Sequence, residues 1–380
     1  MTFDFDTPIE RRTTDSTKWA ASRSRDVIPM WLADMDFPSP PPVVEALVRR
    51  AQHGLFGYTA PQKELIDAVV AFYRDSFAWT IDPDWLMWLP DLGVGLNLVC
   101  QALAEPGDDV LMSTPIYRPF LGAPATGGCH CVTPRLALSG GRWTMDPAAI
   151  ERAVTPRSRL YLLCNPHNPV GRCYSADELR RLAEVCLAHD MVICSDEVHC
   201  QLILDQDKRH VPTAMLSEEI AQRTVTLMAP SKTFNVPGLR CAFAVVPNAD
   251  LRRKLRKARR GIVGGGNIFG LAATTAAFTQ GGPWLEALLA YLRGNRELLE
   301  RFVAETPGLS MTHVEATYLA WIDASGLKLA DPVKFFDQAG VSLADGKSFG
   351  GQGYLRLTFA TPRATLNEAL ARIRKALAGR

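Results

Sequence analysis

Polar residues of four different types follow short apolar runs in the middle of this chain. Asn165, Asp196 and Lys232 each come at or just after the end of such a run, and Arg240 lies a few residues beyond the last one. Two-sided apolar runs are typical of buried parallel strands, and ligands of open α/β sheets bind beyond the carboxyl ends of the strands. An amide, a carboxylate, an amine and a guanidinium would then meet at one sheet edge. The sequence therefore predicts a ligand-binding site there.

None of these motifs identifies a site by itself. An Asp at a strand end is most often a helix cap or a turn residue, and a Lys in a loop is most often simply solvated. The Asn-Pro-His-Asn-Pro string at 165–169 has the composition of a turn, and Gly-Val-Gly at 93–95 is too short to identify a phosphate site. Their order and their shared position carry the prediction.

The elements that must position these residues alternate between strands and helices. Five apolar runs are predicted strands: Asp109–Ser113, Arg159–Cys164, Met191–Ser195, Thr224–Ala229 and Cys241–Val246. They favour a parallel sheet covered by helices on both faces. Ser175–His189 is a predicted helix that begins with a capping box of Ser175 and Glu178. This βαβ rhythm indicates an α/β fold.

The last hundred residues have a different pattern, which we interpret as a smaller α+β domain. Its predicted elements are a long helix, two short alternating strands and a final helix: Pro283–Glu305, Leu319–Ile322, Tyr354–Phe359 and about Thr365 to Ala378. The predicted organisation is an N-terminal segment (1–48) that packs with the small domain, a large domain (49–275) and a small C-terminal domain (276–380).

Charge and hydropathy narrow the classes of partner. The net charge of +2 gives no electrostatic reason to expect nucleic acid. The one basic run, at 252–260, carries Leu251, Leu255, Ala258 and Ile262 at helical spacing, which favours an amphipathic helix with a solvated face. No apolar run reaches the roughly 18 residues that a membrane span needs.

The cysteines indicate a reducing compartment. There are nine of them, with no CxxC pair and no metal-ligand spacing to the seven histidines, so no metal site is expected. Cys164, Cys194 and Cys200 are interpreted as buried free thiols. Because the N-terminus is acidic and polar rather than a secretory signal, we expect a cytoplasmic protein.

Taken in order, the motifs resemble those of fold-type I pyridoxal 5'-phosphate (PLP) enzymes of the class I/II aminotransferase superfamily, over essentially the whole chain. A narrower resemblance is to the cystathionine β-lyase-like C–S lyases, the group that includes the maltose-regulon modulator. It rests on further strings: Phe5-Asp6-Thr7-Pro8-Ile9, Met30-Trp31-Leu32-Ala33-Asp34-Met35-Asp36-Phe37, Phe56-Gly57-Tyr58-Thr59, Asp196-Glu197-Val198-His199, Ser231-Lys232-Thr233-Phe234-Asn235 and Ala316-Thr317-Tyr318-Leu319-Ala320-Trp321. The resemblance implies a large domain with a mostly parallel sheet and a smaller α+β domain.

The resemblance also implies roles around the cofactor ring. Lys232 would form a Schiff base with the PLP aldehyde and later take the α-proton of the substrate. Asp196 would keep the pyridine nitrogen protonated. Asn165 would hydrogen-bond the ring hydroxyl oxygen, and Tyr117 would stack on the ring. His199 stands where many aminotransferases have a tyrosine near that hydroxyl, and it is either a cofactor contact or a core histidine.

At the phosphate, the resemblance implies backbone N–H groups of Val94 and Gly95 at a helix N-terminus, with added charge from Arg240. Many relatives have a Ser or Thr at the position of Ala229; Ser231 is expected to substitute for it. The Gly-Val-Gly-Leu-Asn string at 93–97 also differs from the Val-Val segment that is usual in this branch.

Three further residues are assigned to the substrate and to the partner subunit. Arg356 would grip the substrate carboxylate as a two-pronged donor, with the Ala33 backbone N–H nearby. Tyr58 would reach the phosphate of the neighbouring subunit, which implies a homodimer with shared active sites.

The cofactor motifs leave the reaction open. A thiolate on the β-carbon would be expelled to give pyruvate and ammonia, whereas reprotonation would give amino-group transfer. The narrower strings favour β-elimination from a cysteine thioether, with an amino-acid aminotransferase as the alternative. A third alternative is a lyase-fold protein that acts mainly through regulatory protein contacts.

Overall fold

The computed structural model describes residues 3–379. Its strands are β1 (Ile28–Pro29), β2 (Leu86–Leu89), β3 (Asp109–Leu111), β4 (His130–Val132), β5 (Ala137–Ser139), β6 (Arg142–Thr144), β7 (Ser158–Cys164), β8 (Val192–Asp196), β9 (Thr224–Met228), β10 (Ala242–Val245), β11 (Ser310–Met311), β12 (Leu319–Asp323), β13 (Val341–Ser342), β14 (Ala344–Asp345) and β15 (Tyr354–Thr358). Its α-helices are α1 (Pro41–His53), α2 (Lys63–Phe77), α3 (Leu92–Leu103), α4 (Arg118–Thr126), α5 (Pro147–Ala153), α6 (Ala176–Ala188), α7 (Glu218–Gln222), α8 (Ala249–Arg259), α9 (Ile268–Gln280), α10 (Gly282–Ala304), α11 (Pro332–Gln338) and α12 (Arg363–Ala378).

A seven-stranded sheet with the order β2-β10-β9-β8-β7-β3-β4 forms the centre of the molecule. Its strands β3, β4, β7, β8 and β9 pair in parallel, which confirms the predicted mostly parallel sheet. The predicted strand at Cys241–Val246 exists as β10, but its parallel direction was wrong: it runs antiparallel to β9 and to β2. A continuous apolar run signals burial on both faces but not direction, which the connections decide.

Local sequence signals explain the best-predicted elements. Ser175 accepts a hydrogen bond from the Glu178 amide while the Glu178 side chain accepts one from the Ser175 amide, so the predicted capping box begins α6. The basic helix α8 buries Leu251 and Leu255 as expected. It ends at Arg259, however, and Ile262 lies beyond it, exposed, because Gly261 turns the chain there with a φ of 77°.

The C-terminal region has its own antiparallel sheet, ordered β11-β12-β15-β14, which α10, α11 and α12 accompany. The N-terminal segment joins this region: β1 pairs with β13, and Phe5, Ile28 and Met30 share one core cluster with C-terminal residues such as Leu357. The domain limits at 48/49 and 275/276 remain a prediction, and both positions fall inside helices, α1 and α9.

No helix within the described range 3–379 is long and apolar enough to cross a membrane.

Candidate active site

A cavity of about 270 Å³ lies at the edge of the central sheet where the sequence predicts a site. Cys164 and Asp196, the last residues of β7 and β8, line it, together with Ala229, which follows β9. Leu92 and Gly93 at the start of α3 also line it. The parallel strands thus bring motifs that are far apart in sequence to one place.

Lys232 contributes a primary amine to this cavity. Its Nζ donates a hydrogen bond to the Ala33 carbonyl oxygen at 2.7 Å. The role of the Ala33 amide toward the substrate carboxylate stays a prediction. Burial lowers the pKa of Lys232 to about 8, with Asp34 and Asp196 raising it and Arg356 lowering it further. An amine with that pKa has a substantial neutral fraction near neutral pH and can act as a nucleophile or a base.

Asn235 fixes the segment that carries the Ala33 carbonyl. Its Nδ2 donates to the carbonyl oxygens of Met35 and Phe37 at 3.1 and 2.8 Å, and its Oδ1 accepts from the Met35 amide at 3.2 Å. Asn235 itself adopts a φ of 55°, a conformation that asparagine tolerates better than most residues. The loop of Lys232 and the N-terminal segment are therefore tied together three residues beyond the lysine.

Asp196 is a buried carboxyl group with one backbone contact, the Val198 amide at 3.1 Å. Burial raises the pKa of Asp196 to about 7, against the opposing effect of that amide and of Lys232. A carboxyl group in this setting gains most from a cationic hydrogen-bond donor, which would restore its ionised form.

Two buried side chains near Asp196 have hydrogen-bonding atoms without a partner in the described structure. Asn165 accepts from the Tyr174 amide at 3.2 Å, but its Nδ2 has no acceptor. His199 lines the cavity, and its Nδ1 is likewise without a partner. Burial lowers the pKa of His199 to about 3, helped by Lys232 and Arg356, so the ring is neutral. Buried polar atoms without partners are costly, so these two atoms are suited to hydrogen bonds with a bound ligand.

Arg356 is held with its guanidinium partly committed. Its Nη2 donates to the Trp31 carbonyl at 2.7 Å and its Nη1 to Asn168 Oδ1 at 3.2 Å, while its Nε has no partner in the described structure. The Phe349 ring lies 4.7 Å from the guanidinium carbon. A cation buried this way, without an ion pair among the described contacts, is suited to a carboxylate ligand.

The far end of the cavity combines the N-terminus of α3 with Arg240. The Val94 amide donates to Asp91 Oδ1 at 2.8 Å, and Arg240 donates to Asp91 Oδ2. The Gly95 amide donates to the Asp91 carbonyl inside the helix, so it lies one position too deep to serve as a free first-turn donor. Ser231 and Arg240 line the cavity as predicted.

The two tyrosines of the prediction lie in different places. Tyr117 lines the cavity, and burial raises its pKa. Tyr58 is fully exposed and lines a separate surface concavity of about 770 Å³, formed largely by α1, α2 and α9. Within one chain, the cavity is lined by seven of the predicted residues: Ala33, Tyr117, Asp196, His199, Ser231, Lys232 and Arg240. Val94, Gly95, Asn165 and Arg356 are not among its lining residues, and Tyr58 lies at the other concavity.

Several residues at the site were missed as functional candidates. Asn168 and Asn235 stood in quoted motifs, but nothing in the sequence says which atoms they bind. Tyr318 is buried, donates to the Ala33 carbonyl at 3.4 Å and meets the His199 ring at 6.0 Å between centroids. The preceding Thr317 is a β-branched residue with a φ of 72°, a strained conformation that tends to occur at functional sites.

These residues fit a PLP molecule. The unpartnered Asn165 Nδ2 suits a ring oxygen, the buried Asp196 suits a pyridinium N–H, and the lysine amine suits an aldehyde. At the other end, a helix N-terminus and an arginine suit a phosphate.

Comparison with known proteins agrees with this site. The family model described as aminotransferase class I and II matches residues 25–373. The chain is 37% identical to cystathionine beta-lyase PatB of Bacillus subtilis (strain 168), over 98% of this chain and 100% of that protein. The chain therefore belongs to the class I and II aminotransferase family.

Two solved structures show how far the likeness extends. The crystal structure of OvoB superposes with a TM-score of 0.97 at 41% identity, covering all of both chains. Cystalysin from Treponema denticola, which contains a pyridoxal 5'-phosphate cofactor, superposes with a TM-score of 0.96 at 30% identity, again over all of both chains. The predicted fold class and the narrower C–S lyase resemblance are confirmed.

Proposed function

We propose that this protein is a PLP-dependent carbon–sulfur lyase that eliminates the sulfur of a cysteine thioether, such as cystathionine, to give pyruvate, ammonia and a thiol. The observation that carries the proposal is one cavity that joins the Lys232 amine, whose pKa is lowered, to the buried carboxyl of Asp196. Arg356, which has no ion pair within residues 3–379, is close enough to lower the pKa of Lys232 further. The likeness to cystathionine beta-lyase PatB supports the choice of reaction within the family.

PLP, when bound, supplies an aldehyde for amine exchange and an electron sink for the pair left by the α-proton. Asp196 would hold a proton on the ring nitrogen, and Asn165 Nδ2 and His199 Nδ1 are the candidate partners of the ring oxygen. Lys232, whenever its amine is free, is aimed by the Ala33 carbonyl and can take the α-proton, because its pKa of about 8 leaves it partly neutral.

Arg356 would orient the substrate. Its committed contacts to Trp31 and Asn168 leave further N–H groups for a carboxylate, and they prevent the guanidinium from rotating. A substrate held by its carboxylate has restricted freedom about the α-carbon, so that the Cα–H bond can be directed at Lys232.

Sulfur leaves readily from the β-carbon because the conjugate acid of a thiolate has a pKa of about 8.5, far below that of an alcohol. Elimination should then outrun reprotonation for any substrate with sulfur at that position. The decisive assay compares cystathionine with and without a keto-acid acceptor. Pyruvate release without the acceptor supports the lyase. Amino-group transfer that requires the acceptor, with no thiol from any of a panel of S-substituted cysteines, would establish the aminotransferase alternative.

The cofactor assignment has a separate test. Borohydride reduction followed by peptide mapping should place the pyridoxyl group on Lys232, and a label on another lysine would refute the assignment.

Asp196→Ala should cause a large loss of turnover with only a small loss in the free energy of unfolding. A variant with near-normal turnover would make Asp196 a turn residue only. Pyruvate release also separates the lyase from a regulatory protein that binds PLP without turnover.

The working unit we propose is a homodimer in which Tyr58 serves the partner's site. Tyr58 is fully exposed, and the exposed apolar side chains of Leu55 and Phe56 adjoin it beside the surface concavity. A phenol and apolar groups left open to solvent favour burial against a second copy of the chain.

We further propose a reducing, cytoplasmic setting, which the nine free cysteines support, and no nucleic-acid partner, in keeping with the net charge of +2.

Subunit exchange tests the shared site. Tyr58→Phe and Lys232→Ala are each expected to be inactive, but their mixture should regain part of the activity, because one of the two hybrid sites has an intact Lys232 and an intact Tyr58. Absence of recovery, with exchange demonstrated by a mass tag, would place Tyr58 outside the partner's site.

A further inference from the structure

The phosphate end of the cavity contains a negative charge that belongs to the chain itself. Asp91 precedes α3 and uses both of its carboxylate oxygens: Oδ1 accepts from the Val94 amide at 2.8 Å, and Oδ2 accepts from Arg240. Gly93 leaves room for this arrangement, since a Cβ there would lie only 3.3 Å from Asp91 Oδ1. All but Val94 of these residues line the same cavity as Lys232.

The partners of this carboxylate are the ones that a phosphate would need. A helix N-terminus offers N–H groups and a positive dipole end to an anion, and arginine pairs with carboxylate and phosphate by the same fork of donors. A carboxylate and a phosphate cannot hold the same N–H groups together, and at close range their charges repel. A phosphate that takes the Val94 amide and Nη2 of Arg240 therefore displaces Asp91 from them.

We propose that Asp91 is a resident anion of the phosphate subsite, which holds Arg240 and the Val94 amide in place and lowers the affinity of the protein for PLP by competing with the cofactor phosphate. The proposal rests on the proposed function, because it takes this end of the cavity as the phosphate end. It assigns Asp91 a positioning role, not a catalytic one.

Capping alone does not account for Asp91. Asp331 caps α11 in the same manner, accepting from the Lys334 amide at 2.9 Å, three residues on. Only Asp91 of this pair also accepts from an arginine that lines the cavity. The pair thus supplies a test residue and a matched control.

Asp91→Asn removes the charge and retains the cap, because asparagine and aspartate are about equally good N-cap residues. Asp331→Asn makes the same change away from the cavity. The full-length wild type and both variants are first freed of cofactor. Each is then titrated with PLP and with pyridoxal, which lacks the phosphate, and binding is followed by absorbance and by tryptophan fluorescence. Inorganic phosphate is then used as a competitor.

Asp91→Asn should bind PLP about tenfold more tightly than the wild type, which corresponds to ~1.4 kcal/mol. Its affinity for pyridoxal should be unchanged, and the inhibition constant of inorganic phosphate against PLP should fall by a similar factor. Asp331→Asn should match the wild type with every ligand.

An unchanged or weaker affinity of Asp91→Asn for PLP would overturn the proposal, as would an equal gain for PLP and pyridoxal. The proposed function fails differently: the wild type itself would then carry no pyridoxyl group on Lys232, or would release no pyruvate from any thioether. A wild type that passes those tests while Asp91→Asn binds PLP no better would refute the role of Asp91 alone.

Discussion

Two lysines donate hydrogen bonds to residues 33–36, and their comparison shows how the same residue type serves structure in one place and chemistry in another. Lys18 is buried, and its Nζ donates to Asp36 Oδ2 at 2.6 Å and to the Asp34 carbonyl at 2.8 Å. Lys232 lies at the cavity wall, and its Nζ donates to the neutral Ala33 carbonyl at 2.7 Å. The acceptors of the two amines are thus neighbours in sequence, but only Lys18 has a carboxylate in hydrogen-bond contact.

The consequence is visible in the carboxylate of the first pair. Burial by itself would raise the pKa of Asp36, but the charge and hydrogen bond of Lys18, with Trp19 and Arg11, outweigh it, so the pKa of Asp36 is lowered. The Asp36 carboxylate is thereby held in its ionised form, paired with Lys18. At Lys232 burial prevails, and the pKa falls to about 8. A buried lysine becomes reactive where the protein withholds a paired carboxylate.

The largest expected effect is on turnover when Lys232 is replaced. Lys232→Met removes both the cofactor anchor and the base, so turnover should fall by at least about a thousandfold. Lys18→Met should retain turnover per folded molecule within about threefold, because Lys18 has no contact with the cavity. Steady-state pyruvate release measures both. Comparable losses of turnover in the two variants would contradict the assignment of Lys232 to chemistry and Lys18 to structure.

The second effect is on the free energy of unfolding, and here the Lys18 substitution is expected to be the more damaging of the two. Lys18→Met leaves the Asp36 charge buried with one cation fewer, and it should lower the free energy of unfolding by about 3 kcal/mol. Urea unfolding measures the change. The double variant Lys18→Met, Asp36→Asn should recover part of the loss, and a double variant that is less stable than the single one would contradict the ion-pair explanation.

The third effect is the contribution of Lys232 to the pH dependence of the protein's stability. Since the folded-state pKa of about 8 lies below the ordinary value of 10.5, the unfolded chain binds the extra proton between these values, and wild-type stability should rise as the pH increases through that window. In cofactor-free protein, Lys232→Met should therefore be more stable than the wild type near pH 7, by on the order of 1 kcal/mol. The difference should shrink toward about pH 10. Unfolding at both pH values tests this, and a gain independent of pH would point to packing instead.

The smallest effect concerns the acceptor of the Lys232 amine. Tyr318→Phe removes the hydroxyl that shares the Ala33 carbonyl, and the loss of a bond worth about 1 kcal/mol should reduce turnover about fivefold with KM little changed. Tyr161→Phe is the control: its hydroxyl bonds Ser113 at 2.6 Å inside the core. The control should lose similar stability and no turnover. Equal turnover in both variants would remove Tyr318 from the site.

Sequence patterns were sufficient for the elements of the central sheet and for the residues at its edge. The continuous apolar runs of β7, β8 and β9 predict buried strands, and the order of the motifs after them places Asn165, Asp196 and Lys232 together. These inferences need only local periodicity and the rule that parallel strands end at one edge. The antiparallel direction of β10 could not be inferred in that way, because direction depends on how the chain crosses from β9.

The tertiary structure alone decided which charges have partners. Asp34 and Asp36 lie one and three positions after Ala33 in the sequence, yet the Asp36 carboxylate contacts Lys18 and the Ala33 carbonyl contacts Lys232. Likewise, the Asp91 side chain reaches an arginine 149 positions away. The sequence determined which residue types were available for chemistry. Their pKa values and contacts were set by burial and by distances of a few ångströms between segments remote in the chain, which residue spacing does not encode.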